Sequence, residues 1–258
     1  MWVGQYLDII LALHCCECDI ELTERVIDLN YTLRTLFTFA SDRHIDKALE
    51  VACHTWLMTP LTTPTLTGNC AVYCHLLDPD TKKFVYSDVV RAFVMLMDLW
   101  QYEEGTWPGV ALLINMTNVT LGHVAGVDLT VAQQFFYFLQ EAMFIRLKEF
   151  HFINAPPFVD KLLSVLRPFM KPKMIDMLKV HAVGSDTLNQ YLPIAALPKS
   201  DDCKALADEV WDKFKAHSHF YEDEALKRVD ETKRPGGPIT MSTIFPSIEG
   251  SFKNLVID

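Results

Sequence analysis

Apolar residues in the first 58 positions recur every three or four residues, which is the period of an amphipathic helix. In the segment LTERVIDLNYTLRTLF they form one stripe, made of Leu22, Val26, Leu29, Leu33 and Leu36. The spacing predicts helices over 6–38 and about 41–58. The next segment, TPLTTPTLTGN (59–69), has two prolines and five threonines and cannot continue a helix. We therefore predict a small helical N-terminal part over 1–58 and a linker over 59–69.

From residue 70 onward, short apolar runs alternate with helical stripes. The runs CAVYCHL (70–76), GVALLIN (109–115), FHFINA (150–155) and MLKVH (177–181) predict strands. Between them, helices are predicted over 87 to about 104, with Ser87 as the cap, about 128–143, and 157 to about 170. Strands separated by crossover helices form a parallel sheet with helices on its faces. We predict an α/β domain over 70–230, with a last helix at about 203–223, and an extended C-terminal extension over 231–258.

Composition and charge narrow the possible functions. Half of the 258 residues are apolar, yet runs such as GVALLI are much shorter than the ~20 residues of a membrane span. A net charge of −10 argues against general nucleic-acid binding. Asp8 interrupts the N-terminal apolar stretch, so we expect no signal peptide. Seven cysteines, an odd number, are typical of cytosolic thiols, and we expect a cytoplasmic protein.

The motifs of common enzymes and metal sites are missing from the sequence. There is no phosphate-binding glycine loop, and HAVGSDTL (181–188) lacks the second glycine of a nucleophile elbow. His151 alternates with phenylalanines, which favours a satisfied core histidine over a catalytic base. The stretch ALHCCECD (12–19) has no second ligand pair at zinc spacing, and Cys70 and Cys74 lie on a predicted strand. We expect no enzyme activity, no cofactor and no metal.

Two features remain open to more than one interpretation. Residues 144–181 hold seven Lys/Arg against three Asp/Glu, either as solvated helix faces or as a patch for an anionic surface. The predicted layers also carry more apolar volume than a thin core needs. Periodicity alone favours plain core, and the alternative is a cavity for an apolar ligand. The side chains concerned are Val90, Phe93, Met97, Val110, Leu112, Ile114, Phe135, Phe138, Leu139, Phe150, Phe152, Val159, Leu162, Leu166 and Met170.

Several motifs together resemble the CRAL-TRIO lipid-binding family. They are H-x-I-N-x-P at His151–Pro156, R-P-F-M-K at Arg167–Lys171, and K-V-H closing at His181. The stretches at 77–98, 107–110 and 120–123 extend the match. DETKRPGGP (230–238) and EGSFKNLVID (249–258) look like the C-terminal tail of arthropod members similar to alpha-tocopherol transfer protein.

The resemblance implies a mixed, largely parallel sheet flanked by helices, which encloses one hydrophobic ligand such as a tocopherol, a retinoid, a juvenile-hormone-like terpenoid or another lipid. It also implies a mobile gate segment, here about Pro156–Asp176. Carried over by position, the pocket consists of Val90, Phe93, Met97, Val110, Ile114, Val119, Leu121, Phe135, Phe138, Leu139, Met143, Ile145, Phe150, Phe152, Phe158, Val159, Leu162, Leu166 and Met170.

Relatives in that family also use a basic cleft for phosphoinositide headgroups, and Arg146, Lys148, Lys171 and Lys173 are the candidates here. The resemblance therefore implies a monomeric cytosolic carrier that loads a small hydrophobic ligand and releases it at an anionic membrane. The alternative is a sensor or scaffold that reports ligand occupancy to a protein partner without transfer. In ALHCCECD the arginines expected at the matching family positions are absent.

Overall fold

The computed structural model describes residues 3–246, with side chains from residue 6 onward. Its centre is one five-stranded sheet whose spatial order follows the chain. β1 is antiparallel to β2, and every later neighbour is parallel. The predicted mixed, largely parallel sheet flanked by helices is confirmed. The strands are β1 (Trp56–Pro60), β2 (Cys70–Leu76), β3 (Val110–Asn115), β4 (Leu147–Ala155) and β5 (Leu178–Ala182).

The N-terminal part is helical but more broken than its periodicity suggests. The helices are α1 (Val3–Cys15), α2 (Ile20–Leu36), α3 (Thr38–Ser41) and α4 (Lys47–Thr55). The single helix predicted over 6–38 is wrong at Glu17 and Cys18, which adopt left-handed φ values of 55° and 63°. Asp19 then caps α2, because its carboxylate accepts the backbone N–H of Leu22 at 3.0 Å.

The helix predicted to reach residue 58 ends three residues earlier, since Trp56–Pro60 pair with β2 as an edge strand. Alternation explains this: Leu57 and Met58 are both buried but pack on opposite faces of the sheet. Pro60 ends the strand at the sheet edge, where its missing N–H costs little. Thr59 and Pro60, placed in the predicted linker, therefore belong to the sheet.

The connections between the parallel strands carry the helices α5 (Tyr86–Glu104), α6 (Leu121–Ala125), α7 (Leu129–Glu141), α8 (Val159–Leu166) and α9 (Pro172–Met177). α5 and α7 match their predicted ranges closely. Asp128 caps α7 by accepting the backbone N–H groups of Thr130 and Val131. Ser87 does not cap α5, however, because the cap position is Val85, which makes no side-chain bond.

The helix predicted from 157 to about 170 is divided by its prolines. α8 ends at Leu166, a 3₁₀ turn covers 167–169, and Pro172 opens α9 in the first turn, where proline is tolerated. Beyond β5 follow α10 (Cys203–Ala216) and α11 (Ser218–Ala225), so the last predicted helix is interrupted at His217. The predicted extended tail contains a 3₁₀ turn at 231–233 and α12 (Met241–Ile244), and its segment 249–258 lies outside the described residues.

Both faces of the sheet are covered. Crossovers between parallel strands are almost always right-handed, and strands laid down in sequence order therefore place their connecting helices on one face. That face carries Leu112, Phe150 and Phe152, packed with α5 and α7. The other face carries Leu113 and Ile153, among others, packed against the segment after β5 and the start of α10. In the described part of the chain, no helix combines the length and apolar character that crossing a membrane requires.

Candidate functional site

A cavity of about 130 Å³ lies between the helix-bearing face of the sheet and the helices α5, α6, α7 and α8. Strand alternation supplies its floor, because every second side chain of β3 and β4 points to this face. Phe150 and Phe152 are both 2% exposed there, with ring centroids 5.1 Å apart. α8 supplies Leu162 and Leu166, one turn apart on its buried side. The cavity therefore has a floor from the sheet, walls from α5 and α7, and a cover from α8, which lies within the predicted gate segment.

Ten of the predicted pocket residues line this cavity. They come from five separate parts of the chain, which the fold brings together. They are Val90, Phe93, Ile114, Val119, Phe135, Leu139, Phe150, Phe152, Leu162 and Leu166.

The other nine predicted pocket residues lie elsewhere. Five are buried in the surrounding core, namely Met97, Val110, Phe138, Val159 and Met170. Met143 and Ile145 border a separate groove. Leu121 is 48% exposed and Phe158 is half-buried, both outside the cavity lining.

The pocket list carried over from the family leaves out twelve lining residues, one of which, Leu112, the apolar periodicity already indicates. They are Trp56, Met58, Cys74, Phe84, Tyr86, Val89, Leu112, Met116, His123, Val124, Val127 and Phe136. Trp56 and Met58 are absent from that list because their segment has a helical period and predicts a helix. His123 and Val124 lie on α6, a five-residue helix too short to show a periodic stripe. The available signal was Thr120 followed three residues later by His123, which form a capping box.

The lining is almost entirely hydrocarbon and carries no formal charge. Among the lining residues, Trp56, Cys74, Tyr86 and His123 have an N–H, O–H or S–H group. Burial raises the pKa of the Cys74 thiol to about 12 and also raises the pKa of Tyr86. Burial lowers the pKa of His123. All three groups are thus held in their neutral forms near pH 7.

The side chain of Gln140 bonds the C-terminal half of the predicted gate segment to α7. Its amide nitrogen donates to the carbonyl oxygens of Phe136 at 2.7 Å and Phe169 at 3.0 Å. Its amide oxygen accepts the backbone N–H of Lys171 at 2.7 Å. Lys171 also forms an ion pair with Glu141. These contacts join the 3₁₀ turn and the start of α9 to the helix that forms one cavity wall.

A second, open groove of about 880 Å³ lies beside the cavity, and Leu139 borders both. The α1–α2 turn, α2, the end of α7, the start of β4 and α9 form its walls. All four predicted headgroup residues line it, namely Arg146, Lys148, Lys171 and Lys173. Arg25 adds a fifth basic side chain. The structure thus gathers side chains that the sequence separates by more than a hundred positions.

Acidic side chains share this groove, which we call the charged groove. Four carboxylates line it, namely Glu17, Asp19, Asp28 and Glu141. Arg146 reaches Glu17 at 3.5 Å and donates from Nη2 to Nε2 of His14 at 2.9 Å. Burial and the charge of Arg146 lower the pKa of His14, which keeps the imidazole neutral as an acceptor. The positive potential that the sequence suggests is therefore largely compensated within the groove.

The cysteine-rich stretch forms the α1–α2 corner of the charged groove. The Sγ atoms of Cys15 and Cys16 are 3.7 Å apart, and all seven cysteines are free thiols. Burial, followed by the neighbouring Cys16, raises the pKa of Cys15 to about 12, so it is not a reactive thiolate. Across the residues that the structure describes, no cluster of three or more His, Cys, Asp or Glu side chains could hold a metal ion.

Comparisons with known proteins agree with this architecture. The family model described as CRAL/TRIO domain matches residues 58–200. A human protein named alpha-tocopherol transfer protein-like is 26% identical over 134 residues, which cover 50% of this chain and 39% of that protein. Rat clavesin-2 is 23% identical over 164 residues, covering 60% of this chain and 48% of that protein. The matched part of the chain thus spans less than half the length of these relatives.

A solved structure, that of Sfh5, aligns with 67% of this chain and 62% of its own chain at 11% identity and a TM-score of 0.43. The organisms of these relatives do not test the expectation of an arthropod member, which stays a prediction.

Proposed function

The chain belongs to the CRAL/TRIO domain family, whose members bind and transfer lipophilic ligands, and from this premise we propose that it carries one small hydrophobic ligand in the cavity under α8. The protein acts as a cytosolic monomer. It takes up and releases its ligand when the gate segment moves away from the sheet. Tocopherol, retinoid, juvenile-hormone-like terpenoid and other lipid ligands fall within this class.

The hydrocarbon-lined cavity is the observation that carries the proposal. An engineered cavity of about 150 Å³ with Leu, Ile and Phe walls stays dry and binds benzene. The cavity here, about 130 Å³, is of that size while the gate segment is closed. Burying about 300 Å² of apolar ligand surface would contribute about 7.5 kcal/mol at ~25 cal/mol per Å². A larger terpenoid therefore has enough binding free energy to displace the cover outward.

α8 is suited to act as that cover. It has eight residues, and Val159, Leu162, Leu163 and Leu166 form its buried face. Lys161 and Ser164 are exposed on the other side. Such a helix is held over the cavity chiefly by its apolar face, which a ligand or a lipid surface could also contact. The Gln140 side chain bonds the segment that follows α8 to α7 and so holds this cover closed.

Release at an anionic membrane would use the charged groove. Arg146, Lys148, Lys171 and Lys173 are candidates for transient contact with phosphoinositide or other anionic headgroups. Lys171 lines the groove and also belongs to the gate segment, where its backbone N–H donates to Gln140. Headgroup binding at Lys171 would compete with its ion pair to Glu141 and loosen this end.

The test is ligand loading by two variants of α8. Leu162→Asp places a carboxylate at the cavity, and we expect it to abolish uptake of a fluorescent apolar probe. Ser164→Asp puts the same group on the exposed side of the same helix and should load normally. Circular dichroism establishes that both variants are folded. Wild-type uptake by a folded Leu162→Asp protein would refute the assignment of α8 as the cover.

The compensated charge of the groove favours a second candidate function. A sensor that binds its ligand and reports occupancy to a protein partner would not need strong membrane attraction. The pairing of Arg146 with Glu17 is consistent with this alternative. Transfer of a fluorescent lipid analogue between donor and acceptor liposomes separates the two: stimulated transfer supports the carrier, and tight binding without transfer supports the sensor.

A further inference from the structure

His123 lines the cavity and has a buried ring nitrogen that lacks a hydrogen-bond partner among the described residues. The backbone N–H of Thr120 donates to Nδ1 of His123 at 3.1 Å, and the Thr120 hydroxyl lies 2.9 Å from the same nitrogen. A nitrogen that accepts a hydrogen bond cannot carry the proton, so the neutral ring carries it on Nε2. Nε2 is buried and has no hydrogen-bond partner among the residues that the structure describes.

The surroundings of this N–H are dry. His123 is 2% exposed, and the Phe84 ring meets it edge to face, with centroids 5.4 Å apart. A buried donor without an acceptor costs free energy, and native proteins rarely leave one unpaired. Among the described lining residues, only Trp56, Cys74 and Tyr86 carry another side-chain N–H, O–H or S–H group, and none of them bonds Nε2 of His123. An oxygen on the ligand itself is a better partner.

Resting on the function proposed above, we infer that the ligand is an oxygenated apolar molecule whose carbonyl, ester or ether oxygen accepts a hydrogen bond from Nε2 of His123. The apolar remainder of the ligand contacts the sheet floor and α8. The capping bond from Thr120 fixes the tautomer and the orientation of the ring, so the donor is in place before the ligand arrives. A plain hydrocarbon of the same shape would leave this donor unpaired.

The experiment compares two isosteric probes, 2-undecanone and 2-methyl-1-undecene, in which a CH₂ group replaces the carbonyl oxygen. Dissociation constants are measured by competition with a fluorescent apolar reporter. We expect His123→Phe to weaken binding of the ketone about tenfold while the alkene binds as to wild type. His123→Gln, which can both cap Thr120 and donate an N–H, should restore ketone binding. Tyr86→Phe removes the lining hydroxyl group and should leave the ratio of the ketone and alkene constants unchanged. His219→Phe, on an exposed position of α11, is the control that should leave both constants unchanged.

A measurement on the wild type covers the case in which His123→Phe fails to fold. Nitrogen-15 NMR of the histidine side chains should show one Nε2 resonance that moves with the ketone and stays in place with the alkene. Equal effects of His123→Phe on both probes, or a ketone-specific loss in Tyr86→Phe, would overturn the assignment while the carrier function stands. Wild-type protein that binds neither probe would overturn both.

Discussion

Nδ1 of His151 lies 3.0 Å from Nε2 of His181, which joins the adjacent parallel strands β4 and β5 through their side chains. The two rings stack with centroids 5.3 Å apart. His151 also meets Glu149 at 3.1 Å, and His181 meets the Thr187 hydroxyl at 2.8 Å. The chain of bonds is satisfied when both rings are neutral: His151 donates to Glu149 and accepts from His181, which accepts from Thr187. β5 follows the gate segment directly, so this pair anchors its end.

The histidine pair should make the protein less stable in mild acid. Burial lowers the pKa of His151, and burial together with the charge of a protonated His151 lowers the pKa of His181. Burial alone would raise the pKa of Glu149, but the hydrogen bonds that it accepts outweigh this and lower it. Because unfolded histidines bind protons more readily, the stabilisation is complete above pH ~6.5 and is lost as the pH falls through the lowered values.

Urea unfolding between pH 5 and pH 8 measures this dependence. We expect His181→Gln, which keeps one donor and one acceptor, to show a shallower loss of the free energy of unfolding in acid than wild type. The lowered pKa values of His14, His75 and His123 contribute to both proteins and cancel in the difference. His219→Gln serves as control, since that side chain is 95% exposed. Parallel slopes for wild type and His181→Gln would contradict the prediction.

A second prediction concerns the buried ion cluster that ties the N-terminal part to α5. Asp98 accepts two hydrogen bonds from Arg34, at 2.7 and 2.6 Å, and forms an ion pair with Arg43 at 2.9 Å. Burial alone would raise the pKa of Asp98, but the two guanidiniums outweigh it and lower it. Asp98→Asn leaves two buried cations undercompensated and should lower the free energy of unfolding by about 3–5 kcal/mol.

Chemical denaturation tests this value, with Glu50→Gln as the matched neutralisation. Glu50 pairs with Lys47 on the surface, where the Lys47 side chain is 80% exposed, and its loss should leave stability nearly unchanged. Similar destabilisation by both variants would mean that the cluster contributes no more than a surface pair.

The sequence predicts the elements of the sheet better than it predicts the site. α5 and α7 are long enough for a periodic stripe, and β3 and β4 are continuous apolar runs, so both kinds of element can be read directly. β1 cannot be predicted in this way, because Leu57 and Met58 fit a helix as well as a strand. Only the pairing of this segment with β2 makes it a strand. The sequence does not reveal His123 as a lining residue for a related reason: its placement depends on Thr120 and on cavity walls that lie far away in the chain.

The charged groove shows a different limit. Counting residues 144–181 predicts a positive patch, but the acidic residues Glu17, Asp19 and Asp28 reach the groove from the α1–α2 region. Long-range placement thus largely compensates the positive charge that local composition indicates. Counting charges along the chain identifies the basic residues of the groove but not the acidic residues that pack beside them.

A third prediction concerns Gln140, whose side chain bonds the proposed gate segment to α7. Gln140→Met keeps the length of the side chain but removes its bonds to Phe169 and Lys171. A net contribution of about 1 kcal/mol for each hydrogen bond gives an opening equilibrium shifted by roughly tenfold or more. We therefore expect bound ligand to dissociate about tenfold faster, measured by stopped-flow fluorescence into excess acceptor liposomes.

The matched control for this variant is Gln134→Met on the same helix, since the Gln134 side chain makes no hydrogen bond to any described residue. Its dissociation rate should equal that of wild type. Identical rates for Gln140→Met and wild type would show that α8 does not open through this end.

The last prediction concerns membrane attraction by the charged groove. Glu17 is 72% exposed and lies 3.5 Å from Arg146, so Glu17→Gln removes a competitor of a lipid phosphate. A charge near an anionic surface is worth about 1 kcal/mol, and we expect association with phosphoinositide-containing vesicles to strengthen about fivefold.

Arg146→Glu combined with Lys173→Glu should slow transfer to the same vesicles and leave ligand affinity in solution unchanged. Vesicle sedimentation and a transfer assay measure the two effects, with Glu222→Gln on α11 as the control away from the groove. Both effects should fade at about 1 M salt, where the screening length falls to ~3 Å. Stronger vesicle binding by Glu222→Gln, equal to that of Glu17→Gln, would show that net charge and not the pairing of Arg146 governs attraction.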